Sequence, residues 1–139
     1  MPSGYRLTLM KLECLASQEI DGDELYITLN GRTIWRAHPD KASHLRDRER
    51  RISAFDFANG RKLAPEGWRL MTPYNPSTFV LKNLSGESLL QIWDADALNR
   101  DDLLGETPIS AADVGRGSIA VVFQRDGGHY RLTYRVDAE

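Results

Sequence analysis

Apolar and polar residues alternate along most of this chain, and the alternation predicts a series of short strands. At residues 5–14, Tyr5, Leu7 and Leu9 share one face, and the apolar set then shifts to Met10, Leu12 and Cys14. A period of two with a change of face predicts a strand carrying a bulge near Leu9-Met10. A polar connection covers 17–24, after which Leu25, Ile27 and Leu29 alternate with Tyr26, Thr28 and Asn30. Asn30-Gly31 predicts a tight hairpin turn, because both residues tolerate positive φ, and residues 32–35 form the returning strand.

From 38 to 51 the pattern is lost. Leu45 is the one apolar residue inside a polar run, so this segment has no stripe with which to enter a core, and it reads as a surface helix or a loop excursion. Alternation resumes at 52–57, with Phe55 and Phe57 on one face. Residues 59–66 read as a loop, and 68–70 as a short strand before Pro73 and Pro76. Strands are predicted at 78–82 and 88–93, joined across 83–87. Extended chain is predicted over 103–109, where Pro108 is tolerated at an edge or a strand end. A connection at 111–117 has room for one helical turn. Strands at 119–123 and 130–136 close the chain around a turn at 126–128. About eight short antiparallel strands without a long helix predict an all-β sandwich.

Composition narrows the function classes. A length of 139 residues predicts one domain, with enough chain to bury a core without disulfides or metal. The single cysteine, Cys14, has no internal partner and is expected in the core as a thiol. A net charge of −2 gives no whole-molecule attraction to nucleic acid or membrane, so such a partner would have to meet a local patch. The absence of a signal-peptide core and of a membrane-spanning run predicts a cytoplasmic protein. Trp35, Trp68, Trp93, Phe55 and Phe57 lie on apolar faces and are expected in the core rather than as base-stacking platforms, so no nucleic-acid partner is expected. His38, His44 and His129 have no nucleophile motif to serve, and no phosphate-cradling glycine loop is present. An enzyme is not expected. Nothing in the composition sets an oligomeric state.

The chemistry concentrates after the strand at 89–93. A ten-residue loop is predicted there, carrying Asp94, Asp96, Asp101 and Asp102 around Asn99. Four carboxylates in one loop repel one another, a cost that a hard cation with oxygen ligands removes. The same residues also serve as turn formers, since Asp and Asn bond their own backbone. Both readings stand on the residues alone. A second charged run holds Lys41, His44, Arg46, Arg48, Arg50 and Arg51, a candidate contact for an anionic surface. Asp40, Asp47 and Glu49 interleave with it and cancel much of its field.

The run Trp93-Asp94-x-Asp96-x-x-x-Arg100-Asp101-Asp102-x-x-Gly105-Glu106 resembles the third calcium loop of C2 domains. That resemblance implies Asp94, Asp96 and Asp102 as Ca²⁺ ligands. Residues 7–15 and the run from Asp23 to Leu29 are similar to the family's opening strand, first calcium loop and following strand. Tyr26 fits that pattern, Glu24 stands where the family has a ligand Asp, and Leu25 replaces its Pro. The earlier ligand of that loop falls near Gln18 or Glu19. The resemblance therefore implies a shell completed from Glu19, Asp21, Asp23 and Glu24, with Asp101 beside it. The ending Gly128-His129-Tyr130-Arg131-Leu132-Thr133-Tyr134-Arg135-Val136 is similar to the extra C-terminal strand of one circular permutant of the C2 fold. What the resemblance implies is a calcium-binding module that docks to a phospholipid surface or a protein partner. The alternative is a calcium-independent interaction sandwich whose acidic loop is degenerate.

Overall fold

The computed structural model describes residues 4–16, 25–36, 53–57, 61–63, 80–95, 100–125 and 128–139. Ten strands lie within them: β1 (Tyr5–Ala16), β2 (Leu25–Leu29), β3 (Arg32–Arg36), β4 (Ser53–Asp56), β5 (Arg61–Leu63), β6 (Val80–Leu84), β7 (Ser88–Asp94), β8 (Asp102–Ile109), β9 (Ser118–Arg125) and β10 (Gly128–Ala138). They form two antiparallel sheets. One runs β5-β4-β1-β10-β9, with β6 also on β1, and the other runs β3-β2-β7-β8. The described residues thus hold more strands than the alternation predicts. The segment 59–66, expected as a loop, contains β5, whose three residues pair with β4. The expected strand at 68–70 lies outside the described residues, as does the polar run 38–51.

The bulge expected near Leu9-Met10 is present, and it organises the first sheet. The register of β1 against β10 shifts between Leu9 and Lys11, leaving Met10 as the extra residue. On its other side β1 pairs with β6 before the bulge, through Leu7↔Leu81 and Thr8↔Val80. Beyond the bulge it pairs with β4, from Lys11↔Asp56 to Cys14↔Ser53. The Met10 carbonyl, displaced from the ladder, accepts the Phe57 N–H at 3.0 Å. One strand thereby serves two partners, because the bulge re-aims it.

In the second sheet the Asn30-Gly31 turn forms as expected, with φ of 52° and 83°. Asn30 does more than turn the chain. Its Oδ1 accepts the Leu89 N–H at 2.9 Å, and its own N–H donates to the Leu89 carbonyl at 2.9 Å. The hairpin tip is thus tied to β7. Pro108 lies in β8, an edge strand, where its missing donor breaks no ladder. After β8, Ser110 caps a single 3-10 turn at Ala111–Asp113 with a reciprocal capping box, accepting the Ala112 N–H while Asp113 accepts the Ser110 N–H.

The inward residues of both sheets make one core. Leu7, Leu9, Leu12, Leu132 and Val136 face Leu25, Ile27, Leu90, Ile92 and Ile109. Each fully buried side chain of this kind contributes about 1.5–3 kcal/mol relative to exposure. Trp35 of β3 meets Phe57, which follows β4, edge to face at 5.2 Å. Both are in the core, as expected for these two aromatics. Tyr5 is fully buried, and its hydroxyl spans the sheets, bonded to the Gly86 carbonyl and Ser88 Oγ at 2.9 Å and to the Ile109 carbonyl at 3.2 Å. No helix among the described residues is long and apolar enough to cross a membrane.

Candidate functional site

Asp94 and Asp102 are strand residues, not loop residues as the run of carboxylates predicted. Asp94 ends β7 and Asp102 opens β8, and the two are directly opposed in the ladder. On its other side Asp94 pairs with Leu25, the first residue of β2. The second strand of the sheet, β2, therefore begins beside this pair. Along β7, Leu90, Ile92 and Asp94 are buried while Leu89, Gln91 and Trp93 are half-buried, so Asp94 points to the core side. It is 1% exposed. Asp102 is half-buried.

A second bulge makes this juxtaposition. Between the pairs Ile92↔Gly105 and Trp93↔Leu103 the register shifts, and Leu104 is the extra residue. Without it Leu103 would stand opposite Asp94. With it, Leu104 enters the core fully buried and Asp102 takes the facing position. Gly105 fits because Phe123 of the other sheet lies against it, where a Cβ would come within 2.3 Å of the Phe123 ring.

Directly opposed residues in an antiparallel pair have Cα atoms only ~4.5–5.5 Å apart, so the two carboxylates share one short stretch of sheet end. Like charges so placed destabilise a sheet. The Oδ2 of Asp94 is buried and has no hydrogen-bond donor on it among the described residues, while the residue as a whole does interact with its surroundings. In donor type the pair fits a hard cation, which takes carboxylate oxygens. Two carboxylates alone supply fewer oxygens than the six to eight that Ca²⁺ takes. Among the described residues no group of three or more His, Cys, Asp or Glu side chains gathers closely enough to hold a metal ion. The other residues that the C2 resemblance implies, Asp96, Glu19, Asp21, Asp23 and Glu24, lie outside the described residues.

Asp101 goes elsewhere. It is exposed, and its Oδ2 accepts the Tyr26 hydroxyl at 2.5 Å. Tyr26 lies on the outer face of the second sheet, between the inward Leu25 and Ile27. The Arg36 guanidinium covers its ring at 4.5 Å, and the Trp93 indole lies parallel to it, 6.2 Å away between centroids. The Trp93 Nε1–H donates to Thr28 Oγ1 at 3.0 Å. Trp93 is therefore not a core residue, as its apolar neighbours predicted, but part of an outer stack. Trp68 and the side chains of Phe55 and Cys14 lie outside the described set. Burial, and then the Asp101 carboxylate, push the Tyr26 hydroxyl up to about 12.

The candidate anionic-surface residues Lys41, Arg46, Arg48, Arg50 and Arg51 are likewise outside the described residues. The structure shows other cations on the outer face of the first sheet. Arg131 donates to Glu13 through Nε at 2.9 Å and Nη2 at 3.0 Å, and Lys11 adds an ion pair at 3.6 Å. Arg135 pairs with Asp137 at 3.0 Å. The signal was in the sequence: Arg131 and Arg135 alternate with Tyr130, Leu132, Tyr134 and Val136. Carboxylates already pair with both arginines.

No family model matches the sequence, and no curated protein matches it. Among solved structures, the chain is similar to a C2 domain. The TM-score is 0.46 at 12% identity, over 97% of this chain and 98% of that one. It is also similar to part of human GIVD cytosolic phospholipase A2, at a TM-score of 0.44 and 13% identity, over 100% of this chain. The chain spans 18% of the length of that phospholipase.

Proposed function

We propose that this chain is a calcium-responsive binding module that docks to an anionic phospholipid surface. The observation that carries the reading is the register pair Asp94↔Asp102, with Asp94 almost wholly buried. Two like charges opposed at a strand end are a local cost, and a divalent cation between them turns that cost into binding energy. Ca²⁺ suits the place better than Mg²⁺, because it accepts six to eight oxygens at ~2.3–2.6 Å in irregular geometry. Asp96 and acids from Glu19, Asp21, Asp23 and Glu24 would complete the shell, as the likeness of the loop sequences to C2 calcium loops implies. Asp94 and Asp102 would hold such a cation, and it would supply positive charge that attracts lipid phosphate.

Thermal unfolding with millimolar Ca²⁺ and then with EGTA tests this. A ligand held only by the folded state adds about 2.7 kcal/mol at a hundredfold excess over Kd. A melting temperature raised by Ca²⁺ but not Mg²⁺, with Ca²⁺-dependent pelleting on phosphatidylserine vesicles, supports the reading. No shift overturns it.

A calcium-independent protein-interaction sandwich is the second reading, and one observation favours it. The edge strand β9 leaves Val122 53% exposed beside a ladder edge that pairs with no other described strand, the kind of surface that accepts another strand. A stable complex indifferent to EGTA would select this reading.

A further inference from the structure

The Tyr26 hydroxyl is held at a fixed place. Arg36 covers one side of the ring, and Trp93, itself anchored to Thr28, lies parallel to it. From that place it donates to Asp101, immediately before the residue that faces Asp94.

We infer that Tyr26 is a positioning residue for the acidic loop, and that Asp101 is its acceptor rather than a cation ligand. The inference rests on the binding function proposed above. Successive residues of an extended chain point to opposite faces, so a bond that holds Asp101 outward holds Asp102 inward. The run Asp101-Asp102-Leu103-Leu104 gives such an anchor something to decide. On the inward face, moving residues 101–104 by one exchanges Asp102 for Asp101 and Leu104 for Leu103, so those two positions by themselves do little to specify which carboxylate faces Asp94. The bond also draws the Asp101 charge to the outer face, where Arg36 lies over the same ring. A hydrogen bond to a charged acceptor is among the stronger kinds, and an ordered donor spends little entropy in making it.

Calorimetric titration of the full chain with Ca²⁺ alone tests the roles. Tyr26→Phe and Asp101→Ala each weaken binding about three- to tenfold, and the double variant is no weaker than either single one. Asp101→Asn binds within about twofold of the parent, because its amide oxygen still accepts the hydroxyl. A tenfold or greater loss in Asp101→Asn, with Tyr26→Phe unchanged or tighter, makes Asp101 a ligand and overturns the inference.

If the parent chain takes up no Ca²⁺, the binding reading fails by itself, and the metal-free protein decides the positioning role. Tyr26→Phe speeds amide exchange at Asp102 and Leu103. Unchanged exchange at those two amides overturns the inference.

Discussion

Asp94 and Asp102 stand directly opposite each other at the end of the β7–β8 ladder, and Asp94 is 1% exposed. Without a cation this opposition is a small penalty. Asp102→Asn removes one charge, so the metal-free variant is more stable than the parent by up to about 1 kcal/mol. On the binding function proposed above, the same variant also loses any rise in melting temperature that Ca²⁺ gives the parent. Scans with EGTA and with Ca²⁺ read both effects from one protein.

The buried Tyr5 hydroxyl ties β1 to the Gly86 and Ile109 carbonyls and to Ser88. Tyr5→Phe keeps the ring in the core but takes the hydroxyl away from Ser88 and the Ile109 carbonyl, whose bonds to it are buried. A loss of about 1–3 kcal/mol follows, measured as a lower urea midpoint with an unchanged slope.

Gly105 has no room for a side chain because Phe123 occupies it. Gly105→Ala costs about 1–3 kcal/mol by overpacking. Pairing it with Phe123→Leu returns part of that loss, whereas two independent defects would add. A double-mutant cycle on unfolding free energy separates the cases.

Glu13 is held below its ordinary carboxyl value of 4.5, first by its hydrogen bond from Arg131, with burial opposing and the Lys11 and Arg131 charges assisting. A carboxyl whose folded value is depressed contributes stability above its unfolded value and loses it as pH falls through the folded value. Glu13→Gln is therefore less stable than the parent at pH 7, and the gap closes as pH drops below about 4.5. Denaturant midpoints at several pH values check the convergence. A constant gap across that range would rule out the ion pair as its source.

Several local features were legible in the residues. The face change at Leu9-Met10 marked the bulge, Asn30-Gly31 marked the hairpin, Pro108 marked an edge, and 111–117 held a single helical turn. Each rests on neighbours in sequence, where backbone preference and period act directly. The short β5 was not legible, because three residues of mixed polarity become a strand only through pairing with β4. Trp93 read as core since its neighbours Ile92 and Leu90 are core, yet it leaves the sheet on the opposite face and stacks on Tyr26.

The sequence by itself determined an all-β antiparallel sandwich, because alternation of period two commits one face of each strand to the core. It also marked the acidic stretch, since charge density is a property of composition. Which carboxylates meet was decided only in three dimensions. The extra residue at Leu104 sets the register that brings Asp102 to Asp94, and Tyr26, about seventy-five residues away, claims Asp101 for the outer face. A run of adjacent acids looks alike from either side in one dimension. Only the pleat of a paired strand sends neighbouring side chains to opposite faces.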